Sequence, residues 1–150
     1  MAIDIFIGID PGKSGAIAWI YRDDRMPEWV LLKGTEADIV SDIRPLTLWE
    51  DQDTFCVLEH VHSMPKQGVA SSFNFGASYG FLRGLLTAFE IPFEKCQPLK
   101  WQKYLGCQSK GNKNITKSKA QELFPQIAGK VTHQNADAIL IAEYCRRVHR

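Results

Sequence analysis

The stretch Ile3-Asp-Ile-Phe-Ile-Gly-Ile-Asp-Pro-Gly-Lys-Ser-Gly-Ala-Ile-Ala-Trp-Ile20 decides how this chain folds. Ile3, Ile5, Ile7 and Ile9 alternate with Asp4, Phe6, Gly8 and Asp10, the period-two pattern of a strand with two distinct faces. The turn formers from Pro11 to Gly15 break that strand, and Ala16 to Ile20 reads as a second one returning antiparallel to it. The pattern predicts that Asp10 stands where a strand leaves a sheet.

Outward from this hairpin, Trp29 to Leu32 predicts a third strand and Glu36 to Trp49 a helix, with Pro45 as its kink or stop. Thr54 to Val61 is a near-continuous apolar strand that delivers a second carboxylate, Glu59, near its end. A polar, turn-rich loop carrying Lys66 follows. The next segment, SSFNFGASYGFLRGLLTAFE, reads as a helix capped by Ser71 or Ser72. It places Gly76, Gly80, Gly84 and Ala88 on one face at four-residue intervals. Each glycine costs an exposed helix about 1 kcal/mol relative to alanine, so the pattern predicts unusually close packing there. The domain's own sheet and a second copy of the chain are equally good occupants of that face.

Pro92 to Cys96 predicts a fifth strand, Pro98 to Leu105 a short helix ended by Gly106, and Thr116 to Phe124 a helix stopped by Pro125. The last helix is expected from His133 to Arg147, amphipathic, with Asp137 in its first turn. On a helix starting there, His133, Gln134 and Asp137 share one face.

At 150 residues the chain is most simply one α/β domain spanning 1–150, long enough to bury its own core. Its composition is 45% hydrophobic, yet no apolar run is long enough to span a bilayer, which excludes a membrane-embedded or disordered class. Cys56, Cys96, Cys107 and Cys145 form no CxxC pair and no zinc spacing, and the chain opens directly on a strand. A reducing, cytoplasmic setting is the expectation, with no membrane partner and no nucleotide cofactor.

The net charge of +1 conceals an asymmetry: seven lysines and no acid lie between Lys95 and Gln121, while the remainder carries −6. These are Lys95, Lys100, Lys103, Lys110, Lys113, Lys117 and Lys119. Such a segment suits a phosphate backbone, because lysines displace condensed counterions on meeting nucleic acid; the alternative is a plain solvated face.

Asp10, Glu59 and Asp137 thus come from two strand ends and one late helix. If the strands of Asp10 and Glu59 are neighbours, their backbones are about 4.8 Å apart, and a helix packed there brings Asp137 alongside. Three acids in one place need cations. Hard oxygen donors without cysteine point to Mg²⁺ or Mn²⁺, and a pair of such ions about 3.5 to 4 Å apart clamps in-line displacement at phosphorus. Taken singly, each acid has a plainer explanation as a turn former, a strand end or a helix-dipole partner.

In the order IGIDPGKSGAIA, VLEHV, PLKWQKYLG, KSKA and ADAILIAEY, the chain resembles the RuvC-type Holliday junction resolvases, especially the short bacteriophage versions, of the RNase H-like superfamily. The likeness covers nearly the whole chain. It implies a five-stranded mixed sheet with an antiparallel three-strand meander, flanked by helices. It also implies a homodimer that cuts two opposed strands of a four-way DNA junction with two Mg²⁺ or Mn²⁺ ions per active site. By this resemblance Asp10, Glu59 and Asp137 are the catalytic metal ligands. The family's fourth ligand falls at Gln134, and His133 is the substitute, both as ligand and as catalytic group. Lys117 matches the basic residue near the scissile phosphate, and Lys100 or Lys103 the other. Lys13, Lys66, Lys110, Lys113 and Lys119 join them as DNA contacts. His62 stands where relatives place a base-stacking phenylalanine, with Phe73 and Phe75 as alternatives. The Gly76, Gly80 and Gly84 face becomes the dimer interface. Rival readings are an RNase H-like nuclease acting on other branched or hybrid duplexes, and a junction-binding protein without catalysis. A sugar-kinase or actin-like ATPase half, suggested by GIDPGKSG, needs a longer chain and leaves Glu59 and Asp137 unexplained.

Overall fold

The computed structural model describes residues 2–23, 26–48, 52–61 and 65–150. Five strands form one sheet in the order β3-β2-β1-β4-β5. They are β1 (Ile5–Asp10), β2 (Ala16–Tyr21), β3 (Glu28–Leu31), β4 (Thr54–Glu59) and β5 (Phe93–Cys96). The first three make an antiparallel meander, while β4 and β5 run parallel to β1. The helices are α1 (Glu36–Ile43), α2 (Val69–Ala88), α3 (Pro98–Leu105), α4 (Lys113–Leu123) and α5 (Ala136–His149).

The alternation in β1 sorts the core into two layers. Ile5, Ile7 and Ile9 face α1 and the second half of α2, with Ile39, Ile43, Leu82, Leu85 and Leu86. Phe6 faces the other side, with Ala16, Ala18, Val57 and the buried stripe of α5. On this second face Gly8 lets α5 lie almost on the strand. A methyl group at Gly8 would overlap the Ala142 amide nitrogen and stand 2.5 Å from the Ala138 carbonyl oxygen. Only a residue without Cβ admits that approach.

Several boundaries differ from the sequence expectation. The helix α1 ends at Ile43, and Pro45 opens a 3₁₀ turn, Arg44–Thr47, because proline is accommodated in a first turn but not in a helix interior. Trp49 and His62 lie outside the described residues. The strand β4 stops at Glu59, two residues short of Val61. Neither Ser71 nor Ser72 caps α2, which begins at Val69 after Gly68 in an extended conformation. The helix α4 starts at Lys113, three residues early, because the Asn112 side chain accepts a hydrogen bond from the Asn114 amide.

The start of α5 moves the other way, from His133 to Ala136. Asn135, 1% exposed, locks the preceding turn: its Oδ1 accepts the Thr132 amide at 2.8 Å and its Nδ2 donates to the Lys130 carbonyl at 2.9 Å. His133 and Gln134 therefore precede the helix, and the shared helical face expected for them with Asp137 does not form.

Candidate active site

The parallel pairing of β1 with β4 sets Ile9 beside Leu58, so the next position brings Asp10 beside Glu59. Both side chains fall on the α5 face, since Phe6 and Val57, each an even number of residues away, pack there. Each is 8% exposed. Asp137 enters from the first turn of α5, half-buried, next to the Ala138 carbonyl that rests over Gly8.

The electrostatics of the three acids show that they share one neighbourhood. Burial, then the charges of Glu59 and Asp137, push the Asp10 carboxyl well above its usual range. Burial also lifts Glu59 to about 7; the Trp101 hydrogen bond opposes the rise and the Asp137 charge adds to it. Lys113 is the cation whose field lowers both values. It occupies the first position of α4, and Lys117 lies one turn further along, half-buried. Thus the lysine coupled to the acids is Lys113, counted from sequence only among the general DNA contacts.

Trp101 is a group to which the sequence analysis gives no role. Its Nε1–H donates to Glu59 Oε2 at 2.8 Å in a fully buried contact. The available signal was positional: α3 follows directly on β5, the strand adjacent to β4, and Trp101 is the aromatic of its apolar side.

The donor set suits a hard divalent cation. The three acids offer oxygen only, and the Lys113 charge opposes the rise at Asp10 and Glu59. Cys107, the thiol whose charge couples to Asp137, is pushed up to about 11, chiefly by burial, and stays protonated. As they stand, no three His, Cys, Asp or Glu side chains among the described residues are arranged to hold a metal ion. The His133 ring is turned to α4, where Nε2 lies 2.8 Å from Asn114 Oδ1, and the Gln134 amide donates to Thr132 Oγ1 at 3.2 Å.

The remaining candidates are spread around the molecule. Lys13, Lys66, Lys100, Lys103 and Lys110 are exposed. Lys119 pairs with Glu122 at 3.2 Å, a weak surface ion pair. Phe73 is 76% exposed, whereas Phe75 is half-buried with its ring edge near Gly12. A methyl group at Gly76, Gly80 or Gly84 would meet nothing within 4 Å, which removes the domain's own sheet as the occupant of that face.

No protein-family model and no curated protein sequence matches the chain. Solved structures do. Thermus thermophilus RuvC superposes with a TM-score of 0.58 at 16% identity, covering 96% of this chain and 96% of that one. The chain has the RuvC fold. T. thermophilus RuvC in complex with a Holliday junction substrate matches with the same TM-score of 0.58 and 16% identity, covering 97% of this chain and 96% of that one. At this identity the likeness is one of fold, and it bears out the five-stranded mixed sheet flanked by helices. The RuvC fold puts the ends of β1 and β4 side by side here. No helix among the described residues is long and apolar enough to cross a membrane.

Proposed function

We propose that the protein is a divalent-metal-dependent endonuclease that resolves four-way DNA junctions. The observation that carries this reading is the convergence of Asp10, Glu59 and Asp137, with Lys113 coupled to them, in a fold shared with RuvC. Asp10, Glu59 and Asp137 would hold a pair of Mg²⁺ or Mn²⁺ ions, which supply Lewis-acid activation of water and charge neutralisation at phosphorus when bound. Lys113 orients the scissile phosphate and offsets charge that grows on it during displacement. Lys117, one turn on, and Lys100, Lys103 and Lys110 follow the phosphate backbone away from the site, with Lys13, Lys66 and Lys119 as outlying contacts.

His133 acts through Asn114 in this reading. Their bond ties the turn before α5 to the first turn of α4, the turn that carries Lys113. The fourth ligand position is left to Gln134 or to His133 released from Asn114. Two copies meet on the open Gly76, Gly80 and Gly84 face, presenting two active sites to a junction of matching two-fold symmetry. Phe73, beside that face, is the aromatic free to stack on an unpaired base.

The test compares a synthetic immobile four-way junction with a matched linear duplex, in Mg²⁺ or Mn²⁺, using wild type and Asp10→Asn. Wild type is expected to cut opposed strands of the junction and spare the duplex, and the substitution to slow cutting by about 10³-fold or more. Tight junction binding without cutting under either ion would transfer the protein to the class of non-catalytic junction binders.

A further inference from the structure

Trp101 has no part in the chemistry described so far, yet among the described residues it heads the fully buried side chains by size. Its indole reaches across 42 positions of sequence to Glu59 Oε2. Burying an indole does not by itself secure such a bond: Trp19 Nε1 is buried among the described residues with no partner. The Trp101 contact is charge-assisted whenever Glu59 is ionised, and with Glu59 only 8% exposed it restricts the rotation of the carboxyl group.

Resting on the metal-dependent reading above, we propose that Trp101 is a positioning residue that restricts Glu59 to ligation through Oε1 and thereby biases the site toward Mg²⁺ and against Ca²⁺. A carboxylate can offer a cation one oxygen or both. Ca²⁺ takes six to eight oxygens at about 2.3–2.6 Å and readily accepts two-oxygen ligation, whereas Mg²⁺ demands a near-octahedral set at about 2.0–2.1 Å. With Oε2 engaged by the indole, two-oxygen ligation must displace or share the N–H, whose hydrogen carries partial positive charge. One-oxygen ligation leaves the bond intact, so the indole penalises the larger ion's preferred mode and spares the smaller ion's. The indole is also rigid and fully enclosed, and cannot swing aside as a surface donor would.

Calorimetric titration of Mg²⁺ and Ca²⁺ into the intact protein measures this without reference to cleavage. The proteins are wild type, Asp10→Asn, Trp101→Phe, and a variant carrying at position 101 the tryptophan isostere in which sulfur replaces the indole N–H. The isostere keeps the packing and removes the donor, and thermal unfolding in chelator checks that each protein is folded. Both position-101 variants are expected to lose about tenfold in Mg²⁺ affinity and to keep or gain Ca²⁺ affinity, lowering the Mg²⁺/Ca²⁺ ratio. An equal loss for both ions, or an unchanged ratio in the sulfur isostere, overturns the proposal and leaves Trp101 as packing alone. If wild type binds neither ion, or Asp10→Asn binds as wild type does, the metal-dependent reading itself fails. That failure is visible with Trp101 intact and is thus separable from failure of the Trp101 proposal.

Discussion

The helices α2 and α5 lie on opposite faces of one sheet and are used in opposite ways. Nine of the fourteen residues of α5 are buried, and its backbone rests on Gly8 of β1. Only Leu82, Leu85 and Leu86 are buried among the twenty residues of α2, all in its second half, and a methyl group at Gly76, Gly80 or Gly84 would meet none of the described residues within 4 Å. Glycine therefore does two different things in one molecule. At Gly8 it removes a side chain to let two elements of the same chain touch, and on α2 it leaves a smooth face uncovered. The contrast separates a helix placed by folding, α5, from one whose outer half the fold leaves uncovered, α2.

The largest break in this contrast is expected from Gly8→Val. The branched side chain must push α5 off β1, costing about 3 kcal/mol or more and displacing Asp137 from Asp10. Chemical denaturation should show the loss, and junction cleavage should fall further than the residual folded fraction explains. Gly80→Leu should raise the unfolding midpoint of the monomeric chain slightly through helix propensity, because its side chain enters open space, yet break the dimer proposed for this face, read by sedimentation.

A second expectation concerns the charge stored under α5. The Glu59 carboxyl rises from 4.5 to about 7 in the folded protein, mainly through burial. A raised carboxyl holds its proton in the native state and releases it on unfolding, so it costs nothing below about pH 4.5 and its full penalty above about pH 7. That penalty is about 3 kcal/mol from the size of the shift. Without divalent ions, Glu59→Gln should therefore melt progressively higher than wild type as pH rises through this window, and at pH 7.5 added Mg²⁺ should narrow the gap. A gap independent of pH would mean that Glu59 is not held as a buried, destabilised acid.

The smallest effect is the mildest probe of the open face. Gly80→Ala should stabilise α2 by up to about 1 kcal/mol through helix propensity, measured in denaturant at concentrations where the chain is monomeric. The same change at Gly8 should destabilise, so the two alanines have opposite signs.

Much of this is legible in the sequence. The alternation from Ile5 to Ile9, the strand at Thr54, the stop at Gly106 and the carboxylates Asp10 and Glu59 at strand ends follow from patterns within a few residues. Such signals are local: side-chain period, turn formers and caps act between neighbours along the chain. The start of α5 lies at Ala136 rather than His133 because the competing turn is held by Asn135, a buried side chain bonded back to Lys130 and Thr132. For the glycine face, only the tertiary structure removes the domain's own sheet as occupant, because a methyl group there meets none of the described residues.

What the sequence alone determined, then, is the order of elements, the two-faced character of β1 and the residue types that make an acid site. Tertiary structure decided which lysine the acids feel, Lys113 at the head of α4, and which donor holds Glu59. The reason is range. Lys113 and Trp101 approach the acids only after β5, α3 and α4 have packed, and electrostatic and hydrogen-bond partnerships depend on distance in space, which no periodicity along the chain encodes.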